Sequence, residues 1–176
     1  MHFLKNDELD ISVRWLIRRD LSEVMTIESS SFEDPVTEQK MVGWLRCRNI
    51  VGMVAEKDSL VLGFMIYCLG KKALQLSRLA VAEECRRKKI GSQMVQLLKT
   101  KLSFQRRSFT FANVPETNLG AQLFFKSLGF KAQHIDYRPA EPEYQMLYQI
   151  SDEDLKRYER SELLQILERR NGMPLS

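Results

Sequence analysis

The spacing of apolar residues predicts strands and helices in alternation along the chain. Residues 12–19 alternate well enough for a strand, and apolar residues at helical spacing then follow behind Asp20, a residue type suited to cap a helix. Pro35 breaks this pattern, and Thr37 is suited to cap a second helix. The chain therefore begins with a predicted strand and two predicted helices.

The middle of the chain has the pattern of a hairpin, a further strand and an amphipathic helix. Two apolar runs, residues 49–56 and 60–69, flank the turn signal "KDS", which predicts an antiparallel hairpin. The run "ALQLSRLAV" (73–81) follows as the next strand. A helix is then predicted from one apolar stripe formed by Ile90, Met94, Leu97, Leu98 and Leu102.

The last elements continue the alternation. Residues 106–114 predict a strand, and Asn118 begins a helix that ends at Gly129, a residue able to take the left-handed conformation past the last turn. Residues 131–137 and 143–150 predict two further strands. This order of elements indicates a mixed α/β sheet.

Length and composition favour one soluble domain with a helical tail. The chain has 176 residues, of which 44% are apolar, so we expect a single domain over residues 1–150. Residues 151–176 form a charged tail, which is predicted to be helical with one apolar edge that includes Leu155, Tyr158, Leu163, Ile166 and Leu167. The chain has no uncharged apolar window long enough to span a membrane and no signal-peptide pattern at residue 1. We therefore expect a cytoplasmic protein with no membrane partner.

Cysteine, histidine and charge limit the function classes. Three widely spaced cysteines favour reduced thiols over a disulfide framework, and with only His2 and His134 no metal site is expected. The net charge of +4 is modest and favours anionic partners without requiring nucleic acid.

The basic stretch "CRRKKIGSQM" (85–94) is the most informative local feature. It lies between a predicted strand and a predicted helix, whose first N–H groups have no partner and carry the positive end of the helix dipole. Its four cations strengthen such an anion site, and Gly91 allows close approach to the backbone. The stretch matches neither a P-loop nor G-x-G-x-x-G, and a solvated basic turn is the plain alternative.

The segment "RLAVAEECRRKKIGSQMVQLL" resembles the acetyl-CoA segment of the GNAT N-acetyltransferases, with Lys89 where that family usually has its first glycine. The resemblance implies the GNAT fold, a mostly antiparallel sheet of about seven strands with flanking helices, here with an added C-terminal helix. It implies acetyl-CoA as cosubstrate and no metal. The implied cofactor-binding residues are Leu79, Ala80, Val81, Arg86, Arg87, Lys88, Lys89, Ile90, Gly91, Ser92, Asn118 and Phe125.

Three further segments extend this resemblance over about residues 13–150. "TNLGAQLFFKSLGF" (117–130) is similar to the second signature of the family, in which Asn118 would contact the pantetheine arm. "IESSSFEDPVTEQKM" (27–41) and "DYRPAEPEYQMLY" (136–148) resemble substrate-side segments of the RimI-type ribosomal-protein-alanine N-acetyltransferases. They imply that substrate is bound by Phe32, Glu33, Asp34 and Tyr137.

The resemblance breaks at both positions where that group has its acid and base. Asn113 stands in place of the general-base glutamate and Phe125 in place of the general-acid tyrosine, and neither can move a proton at neutral pH. Three explanations stay open: a carboxylate such as Glu116 acting through water, with Glu33 and Asp34 as further candidates; Tyr137 as proton donor; or catalysis by positioning alone.

An N-terminal α-amine is the acceptor that least needs a base. Its pKa is about 7.7 to 8.0, against about 10.4 for lysine, so roughly 10 to 15% of it is neutral at pH 7. The sequence therefore predicts an N-acetyltransferase for protein or peptide N-termini, with a ribosomal protein as one candidate. A small-amine acetyltransferase and a catalytically weakened CoA-binding module are the alternatives, a nucleic-acid binder is less favoured, and the oligomeric state is open.

Overall fold

The computed structural model describes residues 9–154 and 156–158. Within them the chain forms one sheet, four complete α-helices and a further helical stretch after residue 151. The elements in chain order are β1 (Ser12–Trp15), α1 (Leu21–Ser31), α2 (Glu38–Leu45), β2 (Ile50–Lys57), β3 (Leu60–Leu69), β4 (Ala73–Val81), α3 (Ile90–Lys99), β5 (Phe109–Pro115), α4 (Leu119–Ser127), β6 (Lys131–Asp136) and β7 (Glu143–Gln149).

The sheet has seven strands in the order β1-β2-β3-β4-β5-β7-β6. The neighbouring strands are antiparallel, except that β4 and β5 are parallel and are joined through α3. A parallel pair needs such a crossover, whereas the antiparallel neighbours can be joined by short turns. The predicted mixed, mostly antiparallel α/β sheet is confirmed.

The turn between β2 and β3 has the geometry that its residues favour. Asp58 and Ser59 take left-handed conformations, with φ of 51° and 65°. Two successive left-handed residues are what a two-residue hairpin needs to match the twist of its strands. The predicted hairpin is therefore confirmed.

The predicted cap at Thr37 is present, and Asn118 caps the helix that it was predicted to begin. Thr37 accepts a hydrogen bond from the Lys40 N–H at 3.3 Å, and Asn118 accepts one from the Ala121 N–H at 3.0 Å. Gly129, which follows α4, has the expected left-handed backbone, with φ of 83°. These local signals fix where α2 and α4 begin and where α4 ends.

The expectation that the Asp20 side chain caps α1 is wrong. Its carboxylate instead binds the Arg14 guanidinium at 2.7 and 2.9 Å and accepts the Ile17 N–H at 2.8 Å. Asp20 is almost completely buried, and the hydrogen bond from Arg14 lowers the pKa of its carboxyl group. A charged partner on β1 thus takes the carboxylate that the helix would otherwise use.

Both faces of the sheet are covered by helices. One apolar cluster contains Met94 and Leu98 of α3 together with Met65 of β3, and the other contains Val24 of α1 with Ile66 of β3. Because consecutive strand residues point to opposite faces, β2 and β3 are apolar along most of their length. The sheet is therefore a rigid support for the loops at its edges.

The tail is described only in part. Residues 152–154 and 156–158 are helical, and Tyr158 packs against the cluster that contains α3. Leu155, Leu163, Ile166 and Leu167 lie outside the described residues, and the domain boundary at residue 150 stays a prediction. No described helix is long and apolar enough to cross a membrane.

Candidate active site

Strands β4 and β5 separate where their pairing ends. The parallel register runs from Ala73 to Leu76 on β4, yet β4 continues to Val81 without a partner on its β5 side. Opposite this point, Ile66 pairs with Arg78 and Tyr67 with Leu76, so the intervening residue of β4 is an extra residue in the ladder. This bulge and the divergence of the two strands open the sheet.

We call the space between these strands the acyl cleft. It has a volume of about 170 Å³. It is lined by Phe32, Leu76, Ser77, Arg78, Leu79, Ala112, Asn113, Val114, Pro115, Asn118, Ala121, Phe124 and Phe125.

A second and larger cleft of about 550 Å³ lies at the start of α3, and we call it the anion cradle. It is lined by Val81, Cys85, Arg86, Arg87, Lys89, Ile90, Gly91, Ser92, Gly120, Leu123, Phe124 and Ser127. Phe124 lines both clefts, so they lie next to each other at this residue.

The loop of the anion cradle is folded by two residues with left-handed backbones. Arg87 has φ of 66° and Lys89 has φ of 60°, and Lys89 directly precedes α3. The left-handed conformation costs a residue with a Cβ about 1 to 2 kcal/mol, and glycine has no such penalty. Lys89, at the position where a glycine was expected, therefore adopts the turn with its side chain present and directs the first N–H groups of α3 into the cradle.

The four basic side chains of this loop differ in their surroundings. Arg86 donates from Nε to the Val81 carbonyl at 3.0 Å and from Nη2 to the Ser31 hydroxyl at 3.1 Å, so it ties β4 to α1 while lining the cradle. Lys88 donates to the Glu84 carbonyl at 3.0 Å and does not line the cradle. Arg86, Arg87 and Lys89 are thus brought together, and Lys88 is not.

Gly91 has a packing role besides the expected one. A Cβ at this position would lie 3.4 Å from Cζ of Phe124, at the short limit of ordinary contacts. Glycine here lets α3 approach α4 closely, and no side chain from residue 91 extends into the cradle. Ser92, the next residue, also lines the cradle, whereas Ile90 lines it but is almost fully buried in the core.

The remaining predicted cofactor-binding residues are distributed between cleft and core. Leu79, Asn118 and Phe125 line the acyl cleft, and Val81 lines the anion cradle. Ala80 points into the core that contains α1, so only its backbone is available to the cleft. The side-chain oxygen Oδ1 of Asn118 accepts the Ala121 N–H at 3.0 Å and so caps α4.

The candidates for proton transfer and substrate binding are only partly brought together. Asn113 and Phe32 line the acyl cleft, whereas Glu33 and Asp34 are exposed beside it and do not line it. Glu116 is exposed on the loop after β5, and Tyr137 is 72% exposed after β6. Neither of these two lines the cleft, and their catalytic roles stay predictions.

Among the described residues that line the acyl cleft, none carries a carboxylate, imidazole, thiol or phenol. Asn113 and Phe125 occupy this lining, and Phe125 is held edge-on against Phe124 with ring centroids 5.2 Å apart. The described cleft therefore offers a developing charge its backbone groups, the amide side chains, the Ser77 hydroxyl and one arginine. That arginine, Arg78, was missed by the sequence analysis, because an isolated charge in a strand pattern is usually solvated.

A family model and several solved structures match the chain. Residues 48–132 match the model of the acetyltransferase (GNAT) domain. Among curated proteins, none matches the sequence significantly.

The fold is shared with several solved structures at low sequence identity. The ribosomal-protein-S18-alanine N-acetyltransferase from Escherichia coli is 20% identical, with a TM-score of 0.71 over 81% of this chain and 95% of that one. Ard1 from Thermoplasma volcanium is 20% identical, with a TM-score of 0.72 over 82% of this chain and 100% of that one. Naa50 from Arabidopsis thaliana, in complex with the bisubstrate analogue CoA-Ac-MVNAL, is 16% identical, with a TM-score of 0.68 over 81% and 100%.

Proposed function

We propose that this chain, whose residues 48–132 match the acetyltransferase (GNAT) domain, is an acyltransferase that transfers the acetyl group of acetyl-CoA to the α-amine of a protein or peptide N-terminus. The observation that carries this proposal is the junction of the anion cradle and the acyl cleft at Phe124. A ligand with a diphosphate at one end and a thioester at the other suits two such adjacent clefts.

The residues of the anion cradle fit the diphosphate of acetyl-CoA. Backbone N–H groups at the start of α3 and the cations Arg86, Arg87 and Lys89 face one space. Charge-assisted hydrogen bonds to phosphate are about twice as strong as neutral ones, and a helix start favours negative charge. The solved neighbour bound to a CoA-containing bisubstrate analogue supports this assignment by fold.

The unpaired edge of β4 suits the acetyl carbonyl. In the transfer the amine nitrogen forms a bond to the carbonyl carbon, the carbon–sulfur bond breaks, the amine loses a proton and the sulfur leaves as thiolate. Negative charge develops on the carbonyl oxygen, and preorganised backbone N–H donors stabilise it. The residues of β4 beyond Leu76 have such groups without a strand partner on the β5 side.

The polarity of the acyl cleft favours an N-terminal acceptor. Its described lining holds no group that could deprotonate an amine at neutral pH. The acceptor must then lose its proton to water, which costs an α-amine about 3.4 kcal/mol less than a lysine side chain. Glu33 and Asp34, exposed beside the cleft, would attract a cationic N-terminus as it approaches. A ribosomal protein is one candidate acceptor, given the fold shared with the Escherichia coli enzyme.

A small-amine acetyltransferase or a CoA-binding module without fast catalysis is the second candidate. Both are favoured by the lack of a base in the described lining of the acyl cleft, since Asn113 and Phe125 stand at the positions of the expected base and acid. A module would bind acetyl-CoA and release no thiol in the presence of any amine.

Thiol release from acetyl-CoA tests the proposal with three acceptors in parallel: an alanine-starting peptide, a lysine peptide with a blocked N-terminus and a polyamine. We expect the alanine-starting peptide to have the highest kcat/KM. A higher value for the lysine peptide or the polyamine would refute N-terminal specificity. Tight binding of acetyl-CoA with no thiol release would support the module.

A pair of arginine variants tests the anion cradle. Arg87→Ala should raise the KM for acetyl-CoA about tenfold, since one charge-assisted contact is lost. Arg106→Ala is the matched control, because this exposed arginine lies before β5 and lines neither cleft. Equal effects of the two variants would indicate general electrostatic attraction in place of a specific site.

A further inference from the structure

Glu28 is a buried carboxylate that the proposed chemistry does not use. It lies on α1 with 0% of its surface exposed. Its Oε1 accepts the Val36 N–H at 3.0 Å, while Oε2 has no hydrogen-bond partner among the described residues. A buried carboxylate requires a nearby positive charge, because its loss of hydration is otherwise uncompensated.

Arg78 supplies that charge. Its Nη2 lies 3.7 Å from Oε1 of Glu28, which is an ion-pair distance but too long for a hydrogen bond. The guanidinium also stacks on the Phe32 ring, with its central carbon 4.3 Å from the ring centroid, and approaches the Asp34 carbonyl at 3.5 Å. Arg78 is therefore held in one orientation by α1 and the loop that follows it.

This orientation leaves part of the guanidinium available to a ligand. Its side chain is 20% exposed and lines the acyl cleft, as does Asn113 on the facing strand. Among the described residues, no acceptor takes a hydrogen bond from Nε or Nη1 of Arg78. A planar guanidinium with free donors is suited to a carboxylate or carbonyl oxygen.

We propose that Arg78 determines acceptor specificity by binding the carbonyl or carboxylate oxygen next to the amine-bearing carbon of the acceptor. In a peptide N-terminus or a free α-amino acid, that oxygen is two bonds from the α-carbon. When the amine is placed for attack in the small acyl cleft, this oxygen therefore lies beside the amine. Lysine side chains and polyamines have no such oxygen. This inference rests on the proposed acetyl transfer and narrows its acceptors to α-amino acyl compounds.

Glu28 is the positioning residue for this contact. It is fully buried and cannot touch the acceptor, but it fixes Arg78 and, through Val36, the loop that carries Asp34. Its negative charge also offsets the repulsion between the guanidinium and an incoming ammonium group.

Acceptors with and without a carbonyl or carboxylate group on the amine-bearing carbon test the proposal. We would measure kcat/KM for alaninamide, free alanine and isopropylamine with the wild-type protein and with Arg78→Met. Arg78→Met should lower kcat/KM about ten- to a hundredfold with alaninamide or alanine, which corresponds to the loss of one charge-assisted hydrogen bond. With isopropylamine it should lower kcat/KM about twofold or less. Because each acceptor is compared with itself across the two proteins, differences in amine pKa cancel. The acceptor that loses more kcat/KM on Arg78→Met, alanine or alaninamide, identifies whether a carboxylate or a carbonyl is the natural ligand.

Two further variants separate recognition from structure. Glu28→Gln keeps the bond to Val36 but removes the charge, and should raise the KM for alaninamide severalfold with little change in kcat. Arg78→Lys keeps the charge without the planar fork and should not restore discrimination. Arg106→Met is the control for loss of an exposed arginine. If the Arg78→Met protein does not fold, the double variant Glu28→Gln/Arg78→Met takes its place in the comparison. In this double variant the buried charge is removed together with its partner.

The outcomes are distinguishable. An equal loss with all three acceptors, or no loss with any, would overturn the role of Arg78 while leaving acetyl transfer intact. A wild-type protein that binds acetyl-CoA and acetylates none of the three, nor any peptide, would instead refute the proposed function and with it this inference.

Discussion

The pH dependence of the reaction should follow the acceptor, since the described lining of the acyl cleft has no acid or base of its own. For an N-terminal amine with a pKa of about 7.7 to 8.0, the neutral fraction is about 1 to 2% at pH 6 and above 90% at pH 9. We therefore expect kcat/KM for an alanyl peptide to rise about 50- to 90-fold over this range. The slope should be one decade per pH unit below the midpoint.

The assay measures thiol release at low acceptor concentration from pH 6 to pH 9.5. A second acceptor, with a fluorinated and therefore less basic N-terminal alanine, should move the midpoint to lower pH by the difference between the two amine pKa values. A midpoint that stays fixed when the acceptor changes would belong to the protein. It would refute the reasoning by revealing a general base, with Glu116, Glu33 and Asp34 as the first candidates.

Three further perturbations test other parts of the structure. Asn113→Glu should raise kcat/KM at pH 7 by about tenfold at most, because roughly 10 to 15% of the amine is already neutral, and the gain should vanish by pH 9. Lys89→Gly relieves about 1 kcal/mol of left-handed strain but removes a cation from the anion cradle, so the KM for acetyl-CoA should rise severalfold in the thiol-release assay. Asp20→Asn should cost about 2 kcal/mol in urea unfolding at pH 7, since the Arg14 guanidinium loses its buried ionic partner and keeps its ion pair with Glu56. The lowered pKa of Asp20 stabilises the fold above its ordinary value of 3.8, so this cost should shrink as the pH falls through the folded-state pKa.

The elements of the fold could be predicted because their signals are local. The turn at Asp58, the cap at Thr37 and the left-handed Gly129 depend on neighbouring residues alone. Asp20 shows where this fails: its residue type suits a helix cap, but Arg14 on β1 binds it more strongly. A contact between charged groups overrides a local preference, and no sequence pattern states that contact.

The site was predictable to a similar extent. The anion cradle is one continuous loop, so its composition and its place before α3 identify it. The acyl cleft combines residues from α1, β4 and β5, and the side chain of Arg78 enters it because a bulge at residue 77 changes the register of β4. Glu28 sits in a helix pattern where a carboxylate is usually solvated. Glu116 and Tyr137 occupy loops, where sequence position does not fix the distance to the cleft.

The same arrangement explains how transfer can proceed without an acid or base in the cleft. Phe124 and Phe125 form an aromatic wall, and Phe125 is 6% exposed, so water has little access to this side. In such surroundings electrostatic interactions are stronger than in water, which raises the effect of fixed backbone donors and of one fixed guanidinium. A guanidinium held by Glu28 and stacked on Phe32 costs little further entropy when it binds an acceptor. Positioning of an α-amine that loses its proton to water then replaces the proton transfers that Asn113 and Phe125 cannot perform.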